Sequence, residues 1–434
     1  MILFYAYTTL FLLMAAFEAR RCKTTGAFFL NNRAGSTLQT SFSLIASCVG
    51  GSATIGMCGL AYTVGLPAIW WLASGAVGLA VLTYFLAARV RRSNALTMPE
   101  LVQSYVGHRA YRLIVAVIFV AWLAILAAQF SAMARVVASL TQWGGYAPMI
   151  FSVLFILVYT LLGGQASVIR SDVIQYVVLV AGLLLLLVSL LTQAPHALDH
   201  FRFELINEDF GWDRWTYFML LMGGSYVICP MLFARFLSAK NERVAVRSGW
   251  WAVFGLLATS FVIVLIGIAA QTVLPESIAA DQVLTDLIAL SSPSVQVVIL
   301  LALMSAILSS ADSCLITAAT VLSNDALGRP TLPMTRLCTL AVSGAAALLA
   351  LGGKGILGLL LMANNIYVCG VVVPVFVVMM SSRKADPFWV VLAISAGGSL
   401  GLAAELFASN TLSYLGFFSA LALSLVSLKS HQQS

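Results

Sequence analysis

The chain has 434 residues, 61% of them hydrophobic and 9% charged, with a mean hydropathy of +1.00. A soluble domain carries about 25% charged residues, so a soluble globular fold is excluded and the chain reads as an all-α polytopic membrane protein. The net charge of +7 requires no nucleic acid partner, because Lys and Arg gathered on cytoplasmic loops produce that excess.

Apolar runs of about 18 to 25 residues are read as membrane spans. Thirteen occur, near residues 2–18, 39–63, 68–90, 110–138, 147–163, 169–193, 215–237, 248–272, 294–323, 334–352, 354–380, 387–407 and 409–428. The first lacks a basic leader and is followed by Glu18, Arg20, Arg21 and Lys23 rather than by a small-residue cleavage site. It is therefore expected to be a retained helix, not a signal peptide. Basic residues fall on alternate loops: Arg33; Arg89, Arg91 and Arg92; Arg170; Arg235, Lys240, Arg243 and Arg247; Arg329 and Arg336; Arg383 and Lys384; Lys429. The opposite side receives Asp199, Glu204, Glu208, Asp209, Asp213, Glu276, Asp281 and Asp286. The asymmetry predicts an outside N-terminus, a cytoplasmic C-terminus and residence in a bacterial inner membrane.

Two spans are not uniform helices. Residues 48–56, CVGGSATIG, place Gly50, Gly51 and Gly56 near mid-membrane, and residues 223–230, GGSYVICP, combine two glycines with Pro230. Each glycine costs about 1 kcal/mol of helix relative to alanine, and proline removes a donor. Backbone released inside a bilayer survives only against protein or a cavity. The second segment is expected to be non-helical over residues 223–229, with a solute pocket between it and residues 48–53; the alternative is a merely kinked helix with Tyr226 packed in the bundle and the glycine pairs as close-packing faces. With 1–20 set aside as a peripheral helix, residues 39–193 and 215–380 form two five-helix repeats in which the first helix of each is broken. Residues 386–428 add two C-terminal helices. Matching broken helices indicate an inverted-repeat transporter with its site at the midplane.

The ninth span carries Ser309, Ser310, Asp312 and Ser313 in an otherwise apolar stretch. An intramembrane carboxylate is expensive and reads as functional. Hydroxyls one to four residues from it supply the hard oxygens that a small desolvated cation needs, with no His or Cys. The competing reading is serines bonded to carbonyls one turn earlier. Cys48, Cys58, Cys229, Cys314 and Cys369 read as packing residues, with neither disulfide framework nor metal site. The histidines, at 108, 196, 200 and 431, give no span a nucleophile partner, so no enzymatic activity is expected.

Seven segments in order give the chain its likeness to a known family. These are AFFLNNRAGS (27–36), SLIASCVGGSATIGMCGLAYTVGL (43–66), LTMPELV (96–102), AAQFSAMARVV (127–137), GGQASVIRSDVIQ (163–175), RFLSAKNERVAVRSGWW (235–251) and SAILSSADSCL (305–315). The chain resembles the sodium:solute symporter family, closely over about residues 25–325. The resemblance implies a leucine-transporter-like five-plus-five core and a sodium ion between the first and eighth core helices. Its ligands would be the carbonyls of Ala46, Val49 and Ala306 and the hydroxyls of Ser309 and Ser310. A second ion site, found in some members, would fall on Asp172, Ser309, Asp312 and Ser313. Two carboxylates overcharge one sodium, and Arg170 offers Asp172 a salt-bridge partner instead. The solute would lie beside Cys48, Gly51, Ser52, Ala53, Ser225 and Tyr226, faced by Gln129 and by Asn364, Asn365 and Tyr367. Sugar-transporting members carry charged or amide side chains where this chain has Ser52 and Ala53, which favours an amino acid or organic carboxylate.

The expected function is sodium-coupled symport of a small polar solute by alternating access, with sodium as coupling ion and no other cofactor. A transporter-fold sensor acting through a separate signalling partner is the alternative.

Overall fold

The computed structural model describes residues 2–20, 24–93, 95–199, 201–275, 277–352, 356–381 and 384–430. Arg21, Lys23, His200, Glu276, Arg383 and His431, named above from the sequence, lie outside the described residues. The long apolar helices are α1 (Ile2–Ala19), the bent pair α2 (Thr37–Cys48) and α3 (Ser52–Val64), α4 (Leu66–Phe85), α5 (His108–Thr141) and α6 (Ala147–Gln193). They continue with α7 (Trp212–Ser238), α8 (Glu242–Val273), α9 (Pro293–Ala326), α10 (Leu332–Leu351), α11 (Gly358–Met380), α12 (Pro387–Leu406) and α13 (Asn410–Leu428).

The α2–α3 pair, bent by 61°, makes one crossing. At about 1.5 Å per residue, the 47 residues of α6 run to roughly twice the thickness of a bilayer core. It is divided at Gly164, whose φ of 55° and ψ of −160° interrupt the helix. Counting α6 as two crossings, the described residues provide thirteen.

Hydrogen bonds sort the connections into two ends. At the basic end, Arg33 donates to the Ser93 carbonyl (3.3 Å), Arg91 to the Lys240 carbonyl (2.9 Å), and Arg92 pairs with Glu242 (2.7 Å). At the acidic end, Arg135 pairs with Asp281 (3.4 Å), Trp70 donates to the Leu205 carbonyl (2.9 Å) and Tyr414 to the Asp213 carbonyl (2.8 Å). The loop asymmetry read from the sequence is thus a physical division of the molecule.

Helix α9 carries a long unbroken buried stretch. From Ala302 to Val321 every residue is buried, against α6 and α5 on two of its sides. No part of that stretch faces lipid, which is why it tolerates serines and a carboxylate. By contrast, Val188, Trp251, Phe254 and Leu348 are exposed, and supply the apolar surface that a bilayer requires. Helix α1 packs Phe4, Tyr7, Phe11 and Ala15 inward, and Tyr7 shares a 2.9 Å hydrogen bond with Ser305.

Helix α7 departs from expectation. Gly224–Val227 is helical and follows a wide π-helical turn at Phe218–Gly223. The break is confined to Ile228 (φ −124°, ψ 87°) and Cys229 (φ −122°, ψ 115°). Pro230 then opens the next helical stretch. Proline forces its predecessor out of the helical region but suits a first helical turn, so the interruption is short. The glycines have another role. A Cβ on Gly223 would sit 2.6 Å from the Ser74 carbonyl, and one on Gly78 would sit 2.0 Å from the Gly223 carbonyl. They let α4 and α7 touch backbone to backbone.

That contact predicts a contrast. Gly78→Ala should cost about 1–3 kcal/mol by overpacking. Gly344→Ala, where nothing lies within 4 Å, should be neutral or stabilising by about 0.5–1 kcal/mol. Thermal unfolding of the two variants in detergent reads the difference, and equal melting temperatures would contradict the close approach.

Candidate functional site

Helix α2 starts from a capping box at Ser36 and Gln39 and ends at Val49 (φ −97°, ψ 70°). Two glycines follow because the neighbouring helices α5 and α9 leave no room. A Cβ on Gly50 would lie 2.6 Å from the Ser310 hydroxyl, and one on Gly51 would lie 2.9 Å from both the Ala132 methyl and Ile307 Cγ1. The last carbonyls of α2, deprived of helical partners, turn toward α9. Ser309 donates to the Ala46 carbonyl at 2.9 Å and to its own turn's Ala306 carbonyl at 2.9 Å. Ser310 donates to the carbonyls of Ala46 (3.4 Å) and Ser47 (3.2 Å).

The structure therefore brings together Ala46, Ala306, Ser309 and Ser310 from the expected ion site, and adds the Ser47 carbonyl. Val49 ends the helix with its N–H on the Ile45 carbonyl at 3.0 Å, and among the described residues no hydrogen bond joins its carbonyl to either serine. The oxygens present are neutral, hard and buried, the donor set of an alkali cation. Among the described residues no three His, Cys, Asp or Glu side chains converge as a transition-metal site would.

A second buried cluster lies alongside. Asp172 Oδ2 accepts from Ser43 and, at 3.5 Å, from Arg235. The same Arg235 nitrogen donates to Ser47 (3.0 Å) and to Ser313, and Ser47 and Ser313 are 3.2 Å apart. Ser313 also reaches the Ser309 carbonyl (2.6 Å) and Asp312 Oδ1 (3.3 Å). Asp172, Asp312 and Ser313 are therefore neighbours, as expected for a second site, but a guanidinium stands between Asp172 and Ser313. Two expectations are corrected here. Arg170 pairs with Glu18, not Asp172, because residues two apart on a helix point to different faces. Arg235, read above as a loop residue, is 1% exposed. The helix restarting at Pro230 carries it into the bundle, where losing one partner of the pair would cost about 3–5 kcal/mol.

Between the two broken helices lies a cavity of about 130 Å³. Cys48, Ser52, Ala53, Gln129, Ser225 and Tyr226 line it, together with Asn364 and Tyr367. Gly51 and Asn365 do not. Gly51 faces Ala132 and Ile307, and Gly50 reaches the cavity in its place. Asn365 accepts a 3.0 Å hydrogen bond from Tyr217, away from the cavity. Sequence reading missed Trp71, Trp122, Met222 and Met231, which give much of the wall its apolar character. Trp122 meets Tyr367 edge-on, ring centroids 5.0 Å apart. Among the described residues no charged side chain lines the cavity. Ser47 and Ser310 belong both to this wall and to the oxygen cluster.

Comparison with known proteins follows the same lines. The family model described as "Sodium:solute symporter family" matches residues 28–208. A sodium/pantothenate symporter of Haemophilus influenzae is 26% identical over 73% of this chain and 69% of its own length. The high affinity choline transporter 1 of Homo sapiens is 26% identical over 61% of this chain and 49% of its own. A sodium/glucose cotransporter of Vibrio parahaemolyticus is 26% identical over 70% of this chain and 63% of its own. The chain thus spans about half to two thirds of the length of these curated relatives. Among solved structures, a Na+-coupled sialic acid symporter superposes with a TM-score of 0.82 at 16% identity, covering 98% of this chain and 96% of that one. A nucleobase-cation-symport-1 family transporter superposes with a TM-score of 0.65 at 12% identity, covering 94% of each. The chain is thus similar to the sodium:solute symporter family over residues 28–208, and its fold is that of the two solved transporters over nearly its whole length.

Proposed function

We propose that the chain is a sodium-coupled symporter that carries a small solute through alternating access, without chemistry on that solute. One observation carries this reading: Ser47 and Ser310 line the solute cavity and also belong to the oxygen cluster between α2 and α9. A cation bound at Ala46, Ala306, Ser309 and Ser310 turns those hydroxyls from donors to carbonyls into ligands. It thereby fixes the wall that the solute meets. Ion and solute then each bind better in the other's presence, by equal factors. We place the basic end of the bundle in the cytoplasm, on the positive-inside bias of the loops.

The cavity also bears on the solute. A hexose needs a partner for each hydroxyl, because a buried unpaired one costs about 1–3 kcal/mol. Among the described residues the wall is mostly apolar, with two indoles and two methionines, and its polar groups are the amides of Gln129 and Asn364 and the hydroxyls of Ser47, Ser52, Ser225, Ser310, Tyr226 and Tyr367. An amino acid or organic carboxylate with a compact apolar part fits better. Backbone N–H groups at the opening of α3 and the neighbouring cation would meet its carboxylate. Purified protein should therefore gain thermal stability from a member of an amino-acid and carboxylate panel, more in NaCl than in KCl. Stabilisation by hexoses alone would overturn this choice of solute.

Loss of one ligand should be visible in transport. In proteoliposomes, Ser309→Ala should raise the sodium concentration for half-maximal uptake about tenfold, the factor for ~1.4 kcal/mol. Unchanged sodium dependence in a well-folded variant refutes the ion-site assignment. Asp172→Asn, which lies outside the cavity wall, should alter the sodium response or turnover while leaving the ranking of solutes as it was. A changed ranking would move Asp172 into solute recognition.

A further inference from the structure

The buried cluster beside the oxygen site has a charge imbalance that the symport reading leaves unexplained. Asp172 and Asp312 are both 0% exposed and Arg235 is 1% exposed. Asp172 Oδ1 and Asp312 Oδ2 have no hydrogen-bond partner among the described residues. Buried carboxylates are sustained by opposite charge and hydrogen bonds. One guanidinium offsets one of the two carboxylates and leaves one negative charge. The groups facing this charge from the surrounding helices are Ser43 and Ser47 on α2, Arg235 on α7 and Ser313 on α9. Among the described residues no further basic side chain is paired to the carboxylates.

Hydroxyls and carboxylate oxygens at this spacing are the donor set of a hard monovalent cation. The space such an ion would take, between Asp172, Ser47 and Ser313, holds the Arg235 guanidinium. The two clusters are joined. Ser313 donates to the Ser309 carbonyl at 2.6 Å, and Ser310 to the Ser47 carbonyl at 3.2 Å. A single cation at Ser309 and Ser310 lies about one helical turn from Asp312 and balances the remaining charge. Another sodium beside Arg235 would leave a buried positive excess.

We propose that Arg235 is a tethered cation filling the Asp172–Ser47–Ser313 space, so that this chain binds one sodium ion per cycle. Removing its charge opens a second cation site there. The proposal rests on the symport reading for the first sodium. It makes Arg235 a positioning residue whose charge, rather than its bulk, sets ion stoichiometry.

The test is equilibrium binding of 22Na+ to purified protein, counted per chain. Wild type and Arg235→Lys, which keeps the charge, should bind about one ion with a Hill coefficient near 1. Arg235→Gln should bind about two, with a Hill coefficient above 1. The double variant Arg235→Gln/Asp172→Asn loses both members of the buried pair, so that no isolated charge threatens its folding, and it should return to about one. About two ions in wild type, or in the double variant, would overturn the tethered cation, as would about one in a folded Arg235→Gln protein. In each of those cases the symport reading still stands. No saturable binding in any variant would instead sink the symport reading, and the proposal with it.

Discussion

Backbone groups freed by a broken helix inside a membrane must find partners within the protein, and most of this structure follows from where Ala46 and Ser47 find theirs. The α2 helix stops at Val49, and its last carbonyls meet the hydroxyls of Ser309 and Ser310 on α9. Lipid would charge several kcal/mol for each such group. The break is therefore possible only because α9 is enclosed along its polar stretch and Gly50 and Gly51 allow contact with it. The same constraint gathers α5 and α6 around α9 and leaves the cavity on the remaining side.

A site built this way is suited to coupling. Its hydroxyls and carbonyls lie 2.9 to 3.4 Å apart, and under the proposed function an ion would replace these contacts with its own. Because α2 and α9 both contribute oxygens, a cation held there under the proposed function would join these two helices. Arg235 strengthens that link: one nitrogen reaches Ser47 on α2, Asp172 on α6 and Ser313 on α9.

Several features were legible in the sequence for physical reasons. Span positions follow from apolar length, and the two ends follow from loop charge. The polar cluster of α9 stood out because a carboxylate among hydroxyls is costly inside a bilayer. Other features depended on neighbours that sequence does not display. Gly223 suggested unwinding, yet it lets α4 and α7 touch, with the Ser74 carbonyl 2.6 Å from where its Cβ would sit. Asn364 and Asn365 are one residue apart, about 100° around a helix, and apolar flanks could not decide which faced the cavity. Arg235 sat among basic loop residues, and its burial emerged only once the helix restart at Pro230 was placed. The aromatic wall, Trp71 and Trp122, looked like ordinary membrane-span composition.

The account's central claim is that the α2–α9 oxygen cluster holds sodium. Thermal unfolding of the purified protein, in NaCl against KCl at equal ionic strength, measures that most directly. A ligand at a hundred times its dissociation constant stabilises by about 2.7 kcal/mol, so wild type should melt several degrees higher in sodium. A Ser309→Ala/Ser310→Ala protein should melt at the same temperature in both salts. Equal melting of wild type in the two salts, or a sodium shift that survives loss of both hydroxyls, would contradict the claim.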